Sequence, residues 1–215
     1  MREYCSSCSL PTKVCLCSEL PESPFHSDTS VLIIQHPLEA KRSARTDFIA
    51  KRIVKEIQIS RSRKFPDFPD NSVLLFPSQD AVDLDTYLET FPVPACLVVP
   101  DGTWQFSKEM VKKLETENRP FKAVKLMLPP EYRGAFVVRK PPQPGWVSTG
   151  EAIALALDQI DQKAGRAKQP VFAPAMRKAL TVYSAKQLAF AKGKETHRPQ
   201  KVDYVPDLYE GILDP

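Results

Sequence analysis

Four runs of consecutive apolar residues punctuate the chain: Val31-Leu32-Ile33-Ile34, Val73-Leu74-Leu75-Phe76, Ala95 to Val99, and Val124-Lys125-Leu126-Met127-Leu128. Runs without alternation predict strands buried on both faces, as in a parallel sheet covered by helices. Between and after them the apolar spacing turns helical: from about Ala44 to Ile57, from Trp104 to about Glu115 (Trp104, Met110, Val111, Leu114), from Thr149 to Lys163, and from Pro174 to Ala191. Arg61, Arg63, Lys64, Pro66 and Pro69 predict a loop over 61–71. Strands alternating with helices predict an α/β domain built on a mostly parallel sheet.

A chain of 215 residues fits one domain with a small appendage. Hydrophobic residues at 42% and charged residues at 26% are ordinary globular usage, which excludes bulk disorder. No apolar run approaches the roughly 18–20 residues that span a bilayer, so no membrane association is expected. The start, Met1-Arg2-Glu3-Tyr4-Cys5, lacks the apolar stretch of a secretory signal. An intracellular protein is expected, cytoplasmic first and nuclear as the alternative. The 7 glycines include no pair two apart, so neither the dinucleotide-binding G-x-G-x-x-G nor the phosphate-binding G-x-x-x-x-G-K loop is present. With 3 histidines and no H-E-x-x-H, that type of hydrolytic zinc site is absent too.

Charge is partitioned rather than large. The net charge is +4, but between Lys41 and Lys64 nine Lys and Arg residues face two acids, a local balance of +7. Between Asp161 and Lys201 ten face two, a balance of +8, and Asp203, Asp207, Glu210 and Asp214 make an acidic tail. Either basic segment alone reads as a solvated helix face; together they point to a polyanion such as RNA.

Cys5, Cys8, Cys15 and Cys17 form a C-x2-C…C-x-C cluster. Two closely spaced thiolate pairs suit a structural, closed Zn2+ site. Disulfides are the competing explanation and are disfavoured inside cells. Cys96, within Ala95 to Val99, reads as a small core residue.

Polar residues cluster where the strands end, which is where open α/β sheets bind ligands. These are Gln35-His36-Pro37-Leu38-Glu39 with Lys41, Arg42 and Arg45-Thr46; Asp101-Gly102-Thr103-Trp104; and Trp146-Val147-Ser148-Thr149-Gly150-Glu151-Ala152. Each also has a structural explanation. Asp101 suits a helix N-cap, Ser148 with Glu151 suits a capping box, His36 suits a turn anchor and Trp104 a core residue.

In order and spacing, the cysteine cluster, the His36-Pro37-x-Glu39 strand end, Asp101-x-Thr103-Trp104 and Ser148-Thr149-x-Glu151-Ala152 resemble the DTW-domain family. These are tRNA-uridine aminocarboxypropyltransferases related to the SPOUT-type knotted α/β enzymes. The resemblance runs from Cys5 to about Arg198. It implies a SPOUT-like knotted domain over 29–202, behind a zinc-binding segment over 1–28 and ahead of the tail over 203–215. Three features depart from the family pattern. Phe106-Ser107 stands where Gln-Ala is usual, and Phe136 stands where a tyrosine precedes Arg139, with Tyr132 displaced upstream. Gly150 replaces a leucine and is expected to loosen the start of its helix.

The implied reaction moves the 3-amino-3-carboxypropyl group of S-adenosylmethionine to uridine N3 and releases methylthioadenosine. Asp101, Thr103 and Trp104 are then the expected catalytic residues. Pro77, Ser78, Pro100, Asp101, Ser148, Thr149 and Glu151 would bind the co-substrate, whose carboxylate would meet helix amides near Thr149. His36, Glu39, Lys41, Arg42, Arg45 and Arg139 would bind tRNA, and Trp104 or Phe106 would stack on the base. Asp101 is either general base or anchor of the co-substrate's amino group. An aspartate starts near pKa 3.9 and a nearby cation lowers it further, which suits a base poorly. The rival readings are an RNA methyltransferase of the same fold and a non-catalytic, zinc-stapled RNA-binding module. No helix face demands a partner, so a monomer is favoured.

Overall fold

The structure is a computed structural model in which residues 3–192 are described, apart from 9, 43 and 118–120, with side chains to 189. The expected acidic tail and the last stretch of the second basic segment lie outside the described residues.

The runs of apolar residues become a six-stranded sheet: β1 (Ser30–Gln35), β2 (Ile57–Arg61), β3 (Ser72–Leu75), β4 (Val82–Asp83), β5 (Cys96–Asp101) and β6 (Lys122–Lys125). Its order is β2-β1-β5-β3-β6-β4, and every pairing is parallel. The helices are α1 (Asp47–Ile53), α2 (Leu84–Thr90), α3 (Trp104–Thr116), α4 (Thr149–Lys163) and α5 (Phe172–Lys192).

Two cores explain why the strands are apolar at successive positions. On one face Val31, Ile33, Val73, Leu75, Leu97 and Val99 pack with α1, α2, α4 and α5. On the other, Ile34, Leu74, Cys96 and Val98 pack with Met110, Val111 and Leu114 of α3. Alternate residues therefore face opposite helical layers, and the middles of β3 and β5 are buried on both faces. Cys96 is buried, as expected of a core residue.

Two expectations are corrected, and two short elements are added. The helix read from Ala44 to Ile57 is shorter, because Val54 is already extended (φ −113°, ψ 126°) and Ile57 opens β2 beside Val31. The β-branched set Ile53, Val54, Ile57 and Ile59 favours a strand once β1 offers an edge. The fourth strand ends at Lys125, and Met127, read as buried, is 68% exposed. The short β4 and α2 carry too few residues to announce themselves.

Chain path sets where a ligand fits. From β1 the chain leaves through α1 to β2 on one side. From the adjacent β5 it leaves through α3, on the opposite face, to β6 on the other side. Such a reversal opens a crevice beyond the carboxyl ends of β1 and β5.

The cysteine segment is tied to this body. Leu16 and Val14 are buried, Leu16 within the main core. Lys186 Nζ donates to the Cys15 carbonyl at 2.5 Å, and Arg52 donates to the Ser7 carbonyl at 3.0 Å. Among the described residues no helix is long and apolar enough to cross a membrane.

Candidate active site

The crevice holds a cavity of about 650 Å3, within the range of small-molecule sites. Asp101, the last residue of β5, lies at its base and is 6% exposed. Its register partner on β1 is Gln35, whose Nε2 donates to Asp101 Oδ2 at 2.9 Å and to Asp47 Oδ2 at 2.8 Å. The Thr149 hydroxyl, at the start of α4, also bonds to the Asp101 carboxylate. Burial, followed by the charge of Asp47, pushes Asp101 up to about 6, against the pull of the Gln35 and Thr149 hydrogen bonds. The expectation of an aspartate at or below its ordinary pKa is thus corrected, because the low-dielectric crevice outweighs its hydrogen bonds.

Around Asp101 the walls are of two kinds. Trp104, the first residue of α3, lies 4.0 Å from Trp146, ring centre to ring centre, and both indoles line the cavity. Phe76 meets Trp104 from behind at 6.2 Å. The polar wall consists of Arg42, Arg45, Lys125, Arg133, Arg139 and Lys140. Arg139 donates to Glu39 Oε1 at 2.7 Å and to the Ala44 carbonyl at 2.7 Å. It therefore clamps the segment that carries Arg45.

The loops at the site are fixed by caps. Thr103 caps α3, its Oγ1 accepting from the Phe106 amide at 3.2 Å. Ser148 and Glu151 form a complete capping box on α4, and Glu151 also accepts from the Ala135 amide. The Gly150 amide donates to the Thr46 hydroxyl at 3.0 Å. A Cβ on Gly150 would stand 2.9 Å from the Thr46 carbonyl oxygen. Gly150 does not loosen the helix start; it lets the segment before α1 press against a well-capped α4.

Residues 2–188 match the DTW domain. The chain belongs to the DTW-domain family. Among relatives of this DTW protein, tRNA-uridine aminocarboxypropyltransferase 2 of Macaca fascicularis is 30% identical over 174 residues, 75% of this chain and 57% of its own length. tRNA-uridine aminocarboxypropyltransferase A of Arabidopsis thaliana is 28% identical over 193 residues, 74% of this chain and 73% of its own. The Drosophila melanogaster relative, also named tRNA-uridine aminocarboxypropyltransferase 2, is 28% identical over 175 residues, 75% of this chain and 68% of its own. The chain thus spans little more than half of the macaque relative it matches. No solved structure matches.

Set against the DTW motifs, the cavity brings together Pro77, Pro100, Asp101, Thr103, Trp104, Ser148, Thr149, Glu151, Glu39, Arg42, Arg45 and Arg139. Ser78 and Lys41 fall outside its lining. His36, expected at an RNA surface, is 6% exposed, with Phe106 stacked on its ring at 4.2 Å. Glu39 is 3% exposed, its carboxylate between Arg139 and Arg42. Both are buried and held by protein partners, and Phe106, stacked on His36, does not line the cavity. The helix amides near Thr149 are also largely taken, by Thr46 at Gly150 and by Ser148 at Glu151. Phe136 stacks on Tyr183 at 6.4 Å, while Tyr132 lines the cavity and offers the nearby hydroxyl.

From sequence, Trp146 stands in a candidate cluster but is given no role, and Asp47 is given none. An acid in the first turn of α1 reads as complementing the helix dipole, yet Asp47 is 2% exposed and faces Gln35 and Arg45.

The cysteine sulfurs of this DTW protein all lie within 4.8 Å of one another, with Cys5–Cys17 at 3.6 Å and Cys8–Cys15 at 3.7 Å. All four are free thiols in this arrangement. Tetrahedral Zn–S bonds of about 2.3 Å put sulfurs roughly 3.8 Å apart, so the set fits Zn2+. Backbone amides of Cys8 and Ser7 lower the Cys5 thiol to about 6, whereas, against the pull of the Cys17 amide, hydrogen bonds among the thiols and burial push Cys15 up to about 11.

Proposed function

We propose that this DTW-domain protein transfers the 3-amino-3-carboxypropyl group of S-adenosylmethionine to N3 of a tRNA uridine. One observation carries the reading: a buried carboxylate, Asp101, with its proton affinity raised to about 6, at the base of a cavity walled by two indoles.

S-adenosylmethionine supplies the electrophilic carbon and leaves as methylthioadenosine. The chain's residues do the rest. Asp101 takes the N3 proton, and its raised pKa narrows the mismatch with a weakly acidic imide. Gln35 and Thr149 hold the carboxylate in one orientation. Trp104 and Trp146 offer an aromatic face to the uracil. Pro77, Pro100 and Thr149 wall the co-substrate. Thr103, Ser148 and Glu151 act as caps that hold the loops flanking Asp101, framing the site without donating to a ligand. Exposed Lys41, with Arg42 and Arg45, faces RNA phosphates, while the Arg139–Glu39 pair holds their segment in place. Cys5, Cys8, Cys15 and Cys17 hold a structural Zn2+ that closes the N-terminal segment and takes no part in the chemistry. A monomer in the cytoplasm or nucleus, acting on tRNA, is the corresponding cellular form.

The test is incubation with unmodified tRNA transcripts and S-adenosylmethionine, followed by mass spectrometry of nucleosides and coproduct. Aminocarboxypropyl-uridine with methylthioadenosine is the expected result. S-adenosylhomocysteine would make the protein a methyltransferase instead. Failure to bind S-adenosylmethionine at all would leave an RNA-binding module.

A further inference from the structure

A second concavity, also of about 650 Å3, opens beyond Arg45. Its walls come from α1, from β2 and from Ser7 and Cys8 of the cysteine segment. Arg45, Lys51, Arg52 and Arg61 line it with a single acid, Asp47. Asp47 adds little negative charge at the rim, because its side chain is 3% exposed and is directed at Gln35 and Arg45. Arg52 is half-buried and tied to the Ser7 carbonyl. Lys51 and Arg61 are exposed and join no ion pair among the described residues. Exposed Arg63 and Lys64 continue the positive track beyond β2.

The floor is apolar, from half-buried Phe48 and Ile59. A cationic rim over an apolar floor is the chemistry of a single-stranded nucleic-acid channel. Arg45 lines both this groove and the cavity containing Asp101, so the two concavities are neighbours that share one cationic side chain.

We propose that this groove is the path of the RNA strand flanking the nucleotide inserted beside Asp101, with Lys51 and Arg61 holding its phosphates and Arg45 holding the phosphate at the threshold. The assignment rests on the RNA-modifying reading above and adds a binding site to it. The strand enters across the cysteine segment and α1, so that one unpaired nucleotide reaches the cavity while its neighbour stays outside.

The test compares two charge-reversed pairs. One is Lys51→Glu with Arg61→Glu in the groove. The other is Lys112→Glu with Lys113→Glu, exposed positions on α3 across the sheet. Binding of an unmodified tRNA transcript is measured over a salt series, with methylthioadenosine release followed in parallel. The groove pair is expected to bind at least tenfold more weakly in low salt. Its log–log salt slope should flatten by about one for each cation removed. The RNA concentration for half-maximal turnover should rise in step with the loss of binding, and the α3 pair should match the unaltered protein. Unchanged binding and slope in the groove pair, or equal losses in both pairs, would overturn the proposal. If the unaltered protein releases no methylthioadenosine, the reaction reading fails by itself, and the groove is judged on binding alone.

Discussion

Gln35 and Asp101 face each other across the β1–β5 register, and one amide nitrogen of Gln35 serves Asp101 at 2.9 Å and Asp47 at 2.8 Å. Two buried carboxylates thus share a single neutral donor. Arg45, 3.7 Å from Asp47, is the nearest compensating charge. Whatever alters Asp47 therefore alters Asp101.

The acid limb of activity follows from this geometry. With Asp101 as the base of the proposed reaction, the rate should rise with pH through about 6. After burial, the Asp47 charge is the main cause of that elevation, with Glu39 adding to it and Gln35 and Thr149 opposing it. Asp47→Asn should move the limb to lower pH while retaining a measurable maximal rate. A pH profile of kcat/KM for the RNA checks it, and an unmoved limb would rule out the coupling.

The same burial costs stability. A carboxyl whose folded pKa is raised contributes stability below its unfolded value near 3.8 and loses it as pH rises through about 6. At pH 8 the ionised Asp101 is therefore a net burden, of up to roughly 3 kcal/mol. Asp101→Asn should abolish turnover yet raise Tm by several degrees at pH 8. The gap should narrow towards pH 4.5, where the wild-type carboxyl is protonated. Thermal melts at the two pH values test it, and a variant less stable at both would contradict the assignment.

Much of this was legible in the sequence. The both-sides-buried strands were readable because β1, β3 and β5 carry runs of consecutive apolar residues. Helix α4 was readable because Ser148 and Glu151 spell a capping box, and α3 from its apolar spacing, although its cap is Thr103 and not Asp101. Asp101 could be placed at a strand end, whereas Trp104 and Thr149 open α3 and α4, the latter well after β6 has ended. What escaped was depth. His36 and Glu39 look like surface polar residues, but Phe106 and Arg139, 70 and 100 residues further along, cover them. Local sequence carries no record of such long-range partners. Nor does it distinguish Asp47 as a buried carboxylate from an ordinary first-turn acid.

Gly150 supplies a test of the packing that assembles the site. In an open helix, glycine to alanine gains up to about 1 kcal/mol. Here the added methyl would meet the Thr46 carbonyl at 2.9 Å, and backbone yields little. Gly150→Ala should therefore destabilise by about 1–3 kcal/mol. It should also weaken turnover, because Thr46 lies between Arg45 and Asp47. Denaturant unfolding with activity measured in parallel distinguishes this from the propensity expectation, which predicts a gain.

The cysteine cluster offers the last prediction. Leu16 is fully buried and Lys186 reaches the Cys15 carbonyl, so the segment is packed into the domain as well as held by its own sulfurs. A metal bound only in the folded state stabilises by mass action. Stripping Zn2+ with a chelator should lower Tm by several degrees and make four thiols reactive, while Cys96, buried in the second core, stays protected. One equivalent of Zn2+ or Cd2+ should restore both, Cd2+ with a thiolate charge-transfer band. Cys8→Ser should bind metal more weakly and melt lower even when loaded. If the four thiols react equally fast with and without chelator, and Tm does not move, the cluster holds no metal, and the segment is kept in place by Leu16, Lys186 and Arg52 alone.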